Sequence, residues 1–188
     1  GDLLGQFGSQ GTGDGEFSWP RRMDIDSSGY LYVTDEVNYR IQKFTSGGEY
    51  IKKWGSYGSG NGQFGLANVL DIWGSSDIAV GPQGNIYVAD GKSNRVQKFT
   101  SEGEYLGQFG SQGTGEGEFS MLSNISVDSL GQVYVSDNGN HRIQKFTNDC
   151  GEIVIQKETD TNTDQYFTFT RDFGEDFYLD ENPNSTVE

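Results

Sequence analysis

Three stretches of this chain alternate apolar and polar residues with the period of two that marks a half-buried strand. They are GYLYVTD (Gly29–Asp35), GNIYVAD (Gly84–Asp90) and GQVYVSD (Gly131–Asp137). Each is followed by a second such run in the same register: NYRIQKFTSGGEY (Asn38–Tyr50), SNRVQKFTSEGEY (Ser93–Tyr105) and NHRIQKFT (Asn140–Thr147). Each is preceded by a third: MDID (Met23–Asp26), IAVG (Ile78–Gly81) and ISVD (Ile125–Asp128). EYIKKWG and EYLGQFG add a fourth run behind the first two copies. The runs are rich in Val, Ile and Tyr, and SSG, PQG and SLG place a glycine where a tight turn needs positive φ. No helical period appears.

Arg40, Arg95 and Arg142 fall 55 and 47 residues apart, so the unit is about 47 residues long. The second copy carries eight extra residues between Phe64 and Ile78. Four strands per unit of this length predict the blades of a β-propeller. A single blade cannot bury both of its faces and must stack on its neighbours. A near-identical decapeptide occurs twice, GSQGTGDGEF (Gly8–Phe17) and GSQGTGEGEF (Gly110–Phe119). It reads as the link from the outer strand of one blade to the inner strand of the next, with Phe17, Phe64 and Phe119 anchoring its far end. A phosphate-cradling loop would need a Lys-Ser/Thr ending and a following helix, and has neither.

The pattern GxGxGxF…(I/V)xVD…GxxYVxD…NxRIQKF…G, repeated across residues 8–149, resembles the NHL-repeat family. The resemblance implies an all-β, NHL-type β-propeller of six blades. This chain supplies about three four-stranded antiparallel blades, in units of about 8–54, 55–109 and 110–149. The opening GDLLGQFG matches Gly103–Gly110 and is expected to be an outer strand whose own blade is missing. The first reading is a piece of a longer propeller; the second is a half-ring that completes itself by self-association. Residues 150–188 lack the repeat marks. GEIVIQ fits the third blade's outer strand, and it also resembles the first strand of prealbumin-like β-sandwich modules of surface proteins. Phe167–Thr170 and Phe177–Leu179 would then be the next strands.

Composition changes this picture modestly. The chain has 188 residues and a net charge of −15. About half of that excess lies after residue 150, where 2 Lys/Arg face 10 Asp/Glu. Nucleic-acid binding draws its affinity from neutralised phosphates, so the balance argues against it. No apolar run reaches the ~20 residues of a transmembrane span. Cys150 is alone and can form no internal disulfide.

Chemistry-bearing residues are few. Asp35, Asp90 and Asp137 sit five residues before Arg40, Arg95 and Arg142. Their recurrence in every copy marks structural pairs, the carboxylate holding the turn and the guanidinium pinning the neighbouring blade. A propeller enzyme that cleaves peptidylglycine intermediates is related to the family, but zinc catalysis needs several His or Cys ligands, and His141 and Cys150 are too few for such a site. No metal or cofactor is expected, nor catalysis. Asp160–Gln165 and Asp180–Ser185 carry alternating oxygen groups but lack the Gly and Glu of a calcium loop. Asn124 and Asn184 open glycosylation sequons, of which Asn184 is expected to be the accessible one.

Binding is expected where the copies disagree. Trp19, Arg21, Arg22, Leu70, Trp73, Ser123 and Asn124 vary before the inner strand, near the central channel. Tyr39, Asn94 and His141 vary in the turn into the third strand. Aromatic and Arg side chains are the types enriched at binding hot spots. The sequence therefore reads as a non-catalytic scaffold presenting loops to a protein or glycan, extracellular or envelope-associated. Two rivals stand beside it. An RNA-binding propeller would use Arg21 and Arg22, and a propeller hydrolase or lyase would use Asp71, Asp77 and His141.

Overall fold

The computed structural model describes residues 1–65 and 76–147, together with the backbone of two strands further on. It divides into two units, Gly1–Cys150 and Gly151–Glu188. In chain order the strands are β1 (Ser9–Gln10), β2 (Glu16–Phe17), β3 (Pro20–Ile25), β4 (Leu31–Asp35), β5 (Arg40–Phe44) and β6 (Tyr50–Trp54). Then come β7 (Ser76–Val80), β8 (Ile86–Asp90), β9 (Arg95–Phe99), β10 (Tyr105–Phe109), β11 (Ser111–Gln112) and β12 (Glu118–Phe119). The first unit ends with β13 (Leu122–Val127), β14 (Val133–Asp137) and β15 (Arg142–Phe146), with one 3-10 turn at Asn138–Asn140. In the second unit β16 (Glu152–Ile155) pairs antiparallel with β17 (Phe167–Thr170).

The sheets follow the repeat. Strands β3-β4-β5-β6 form blade 1 and β7-β8-β9-β10 form blade 2, each an antiparallel meander. Among the described residues blade 3 has three strands, β13-β14-β15, where four per unit were expected. GEIVIQ contains β16, which is paired within its own unit. Inner strands β3, β7 and β13 lie side by side in that order.

Every strand exposes side chains on both sides of its sheet, so each blade has two apolar faces to hide. Two buried clusters do this, and each straddles a blade boundary. Tyr32 and Ile41 of blade 1 pack with Ile78, Ile86, Val88 and Phe99 of blade 2. Ala79, Tyr87, Ala89 and Val96 of blade 2 pack with Leu122, Ile125, Val133 and Val135 of blade 3. The aromatic residues repeat this arrangement. Phe44, Phe99 and Phe146, at equivalent places on β5, β9 and β15, each touch two rings from the chain before their own blade. One comes from the linker: Phe17, Phe64 or Phe119, with centroids 5.5–5.9 Å away. The other is Phe7, Trp54 or Phe109, at 4.5–6.2 Å. The linker Phe explains the glycine that opens each decapeptide. Gly8 has φ +91°, and a Cβ there would lie 2.7 Å from the Phe17 ring.

Phe99 is 1% exposed at the centre of the first boundary. Phe99→Ala should cost about 3–5 kcal/mol, whereas Leu130→Ala, on an exposed turn, should cost under about 0.5 kcal/mol. Urea unfolding followed by tryptophan fluorescence measures both.

Candidate functional site

Because the strands alternate direction, one end of the blades carries the β4–β5, β8–β9 and β14–β15 turns together with the linkers between blades. This loop end is organised by the repeated charges. Asp35 is fully buried and accepts through Oδ2 from Arg40 Nε at 2.8 Å, from Asn38 Nδ2 at 2.8 Å and from Gln42 Nε2 at 3.3 Å. Its Oδ1 accepts from the Ser18 backbone N–H at 2.7 Å. Arg40 then donates to the carbonyls of Thr12, Gly13 and Glu16. Gln42 donates to the same Glu16 carbonyl, and Asn38 to that of Gly11. Blade 3 repeats the set: Asn140, Arg142 and Gln144 each donate to Asp137 Oδ2, and together to the carbonyls of Gly113, Thr114, Gly115 and Glu118. The arginine thus grips the glycine-rich linker leading into its own blade, and not the neighbouring blade as expected. A guanidinium with five donors suits a curled run of carbonyls that no strand can satisfy.

Blade 2 departs in one residue. Ser93 stands where Asn38 and Asn140 stand, and its buried hydroxyl has no hydrogen-bond partner among the described residues. The lock is looser there, with Arg95–Asp90 at 3.3 Å and Gly65 N–H to Asp90 at 3.4 Å.

Non-repeating residues occupy the same end. Trp19 is 63% exposed with φ +63°, and Met121, 102 residues on, is 58% exposed with φ +56°. Tyr39, Asn94 and His141 share a second left-handed position, at φ +53°, +49° and +55°. Such backbone is uncommon for Trp, Met and Tyr, less so for Asn and His, and its recurrence at equivalent positions shows that the turns demand it. Tyr39 meets Tyr57 edge-on at 4.9 Å. Arg21 is bound to Glu36 at 2.8 Å.

Along the inner strands, Arg22, Asp77 and Asn124 are equivalent by the pairing of Met23, Ile78 and Ile125 with Val33, Val88 and Val135. Asp77 gathers them. Its Oδ2 accepts from Asn124 Nδ2 at 3.2 Å and from Ile125 N–H at 3.0 Å, and its Oδ1 lies 3.8 Å from Arg22 Nε. Asn124 is exposed, contrary to its expected shielding, although its amide is engaged. Ser123 shares a hydrogen bond with Ser136 at 2.9 Å. Leu70, Asp71, Trp73, Cys150, Asp160–Gln165, Phe177–Leu179, Asp180–Ser185 and Asn184 lie outside the described residues.

Sequence reasoning passed over Met121 and Tyr57. The 102-residue offset from Trp19 pointed to the first, and the replacement of Gln10 and Gln112 by Tyr57 in the second linker pointed to the other.

Antiparallel blades laid side by side over shared cores, with inner strands adjacent, define a β-propeller architecture. The NHL-repeat family's profile matches residues 76–99 and 119–146, within the second and third units. No curated protein matches the chain. Among solved structures it is similar to a streptogramin B lyase, at 19% identity and TM-score 0.49 over 67% of this chain and 36% of that one. It is also similar to a virginiamycin B lyase from Staphylococcus aureus, at 19% identity and TM-score 0.43 over 68% and 41%. A Bacteroides thetaiotaomicron protein of unknown function shows 25% identity and TM-score 0.46 over 62% and 30%. The chain therefore spans well under half the length of these structures.

Ser93→Asn should supply the missing amide to Asp90 and the Gly58 carbonyl, raising stability by about 0.5–1.5 kcal/mol in urea unfolding. The Asp137 carboxyl is opposed by burial, but hydrogen bonds from Ser120 N–H, Asn140 and Arg142 outweigh it and hold it below its ordinary value. A carboxyl depressed on folding stabilises above its unfolded pKa and loses that contribution as pH falls through the folded one. The melting-temperature gap between the parent and Asp137→Asn should therefore be constant from pH 7 to about 4.5 and shrink below about pH 4.

Proposed function

We propose that this NHL-repeat segment is a non-catalytic scaffold that presents its loop end to a protein or glycan partner. The observation that carries the reading is the exposure of Trp19, Val37, Tyr57 and Met121, between 49% and 63%, at loop-end positions that the repeat leaves variable. Trp19 does not tuck beneath its loop. Large apolar and aromatic side chains held on a rigid backbone lose little freedom on binding and act as anchors. The repeated charges, in contrast, are absorbed by linker carbonyls and are not offered to a ligand.

The RNA reading loses support because both arginines it needs have acidic neighbours, Arg21 with Glu36 and Arg22 with Asp77. The hydrolase or lyase reading needs a free carboxylate, and Asp77 is already accepting two hydrogen bonds. An extracellular or envelope location fits the acidic balance and the surface-module resemblance of the tail.

The test is a screen of a glycan array and a displayed peptide library with the parent chain and with Trp19→Ser/Tyr57→Ser/Met121→Ser. Glycan or peptide binders of the parent should weaken at least about tenfold with the triple variant, at an unchanged melting temperature. Binding that is confined to RNA pools and falls steeply with salt would overturn the proposal.

A further inference from the structure

The end of the blades opposite the loop end carries the β3–β4, β5–β6, β7–β8 and β9–β10 hairpin turns. Blades 1 and 2 part there around an open cleft of about 470 Å³. That size falls within the ~300–1,000 Å³ of small-molecule sites. Three charged groups line it, and each is already matched. Lys43 is buried, donates to the Ser101 carbonyl at 3.1 Å and to Glu102 Oε1 at 2.7 Å, and lies 4.6 Å from the Tyr30 ring centroid. Asp26 accepts from the N–H groups of Ser28 and Tyr30 and from the Tyr32 hydroxyl, each at 2.9 Å. Glu102 also accepts from Lys52, and its two lysine hydrogen bonds hold the carboxyl below its ordinary value.

The neutral groups around the cleft are not engaged. The hydroxyls of Ser27, Ser28 and Tyr30 and the side-chain amide of Gln83 have no hydrogen-bond partner among the described residues. Tyr30 and Ile51, 37% and 39% exposed, add apolar surface to one wall. The cleft is also particular to this boundary. Asn85 and Gln132 stand where blade 1 has Tyr30, and Gly47 stands where blade 2 has Glu102. Both positions are exposed as well as variable, unlike the Asp–Arg locks.

We propose that this cleft between blades 1 and 2 is a second binding site, which takes a short neutral saccharide. Charged groups that already have their partners leave no free countercharge for an ionic ligand. A sugar ring asks for something else: hydroxyls that both donate and accept, and C–H faces that need apolar cover. Ser27, Ser28 and Gln83 supply the first, and the Tyr30 ring with Ile51 supplies the second. The Glu102 carboxylate accepts one hydrogen bond at each oxygen and has lone pairs left for a sugar hydroxyl. The walls are fixed in advance. Tyr30 is held at both its N–H and its carbonyl by Asp26, and Glu102 by two lysines of blade 1, so little freedom is lost on binding. The site lies at the opposite end from Trp19, Tyr57 and Met121 and does not rest on the loop-end reading.

The probes are glucose, galactose, N-acetylglucosamine, cellobiose, lactose and chitobiose, with inorganic phosphate and spermidine as charged controls. Saturation-transfer NMR and amide-shift mapping on the isotope-labelled 188-residue chain give affinity and place together. At least one saccharide should bind with a Kd of about 1 mM or tighter. It should shift the amides of Ser28, Gln83, Gly84 and Glu102, which both controls leave unmoved. Tyr30→Asn, the residue blade 2 carries there, should weaken that binding at least about tenfold at an unchanged melting temperature. Gln83→Ala, on an exposed turn, should weaken it as well, while Trp19→Ser/Tyr57→Ser/Met121→Ser should bind as the parent does. No binding by any of the saccharides, occupation of the cleft by phosphate or spermidine instead, or undiminished binding in both cleft variants would each overturn the proposal. Saccharide shifts confined to the loop end would overturn this site and leave the loop-end reading standing.

Discussion

A five-residue strand has room for two or three apolar side chains on each side, and a sheet of four such strands cannot fold over to cover itself. Everything else in the first unit answers that constraint. Tyr32 and Ile41 are hidden by the next blade, and Ile78 and Val88 by the one before, so no blade owns a complete core. Stability is then a property of boundaries. At about 25 cal/mol per Å² of apolar area buried, each boundary rather than each sheet is the unit of folding free energy. Packing of Phe44, Phe99 and Phe146 between a linker ring and a ring from further back along the chain extends the same logic into the connections.

Stacking alone would leave the linkers loose. They cross between sheets, where the blade ladders offer no N–H donors to the carbonyls of Thr12, Gly13 and Glu16. The Asp-Asn-Arg-Gln set solves this by placing a fixed fork of donors under the linker and a buried carboxylate beneath the fork. Asp35 Oδ1 accepts from Ser18 N–H, while Oδ2 accepts from the arginine that grips Thr12, Gly13 and Glu16, so the middle and the far end of the linker are tied to one side chain. Breaking such a buried pair from one side leaves an uncompensated charge, which is why the residues recur as a set.

The blade pattern was legible because period-two alternation and the recurring turn glycines are local signals, repeated three times with little noise. The Asp–Arg pairing was also legible, from spacing alone. Its target was not: whether Arg40 reaches the next sheet or the linker beneath depends on how the chain curls between Gly8 and Phe17, which no periodicity encodes. The pairing of GEIVIQ was likewise hidden, because its strand character suits more than one partner, and in the structure β16 pairs with β17. Met121 escaped notice because methionine announces no chemistry; its significance comes from the left-handed turn it shares with Trp19.

Variation among repeats is a weaker guide to function than it first appears, and Asp77 shows why. Arg22, Asp77 and Asn124 differ in charge at one register position, the pattern expected of an asymmetric binding site. Yet Asp77 accepts from the side chain and backbone of β13 and lies near the arginine of β3, joining three inner strands. A difference between copies can thus be a complementary set, each residue suited to its neighbour on the adjacent inner strand. The variable positions that escape this explanation are those whose side chains leave the body of the sheet. Trp19 does so at 63% exposure, and Tyr57 remains 57% exposed although its ring meets Tyr39. Recurrence identifies what holds the scaffold together; disagreement combined with exposure, and not disagreement alone, marks where a partner would be read.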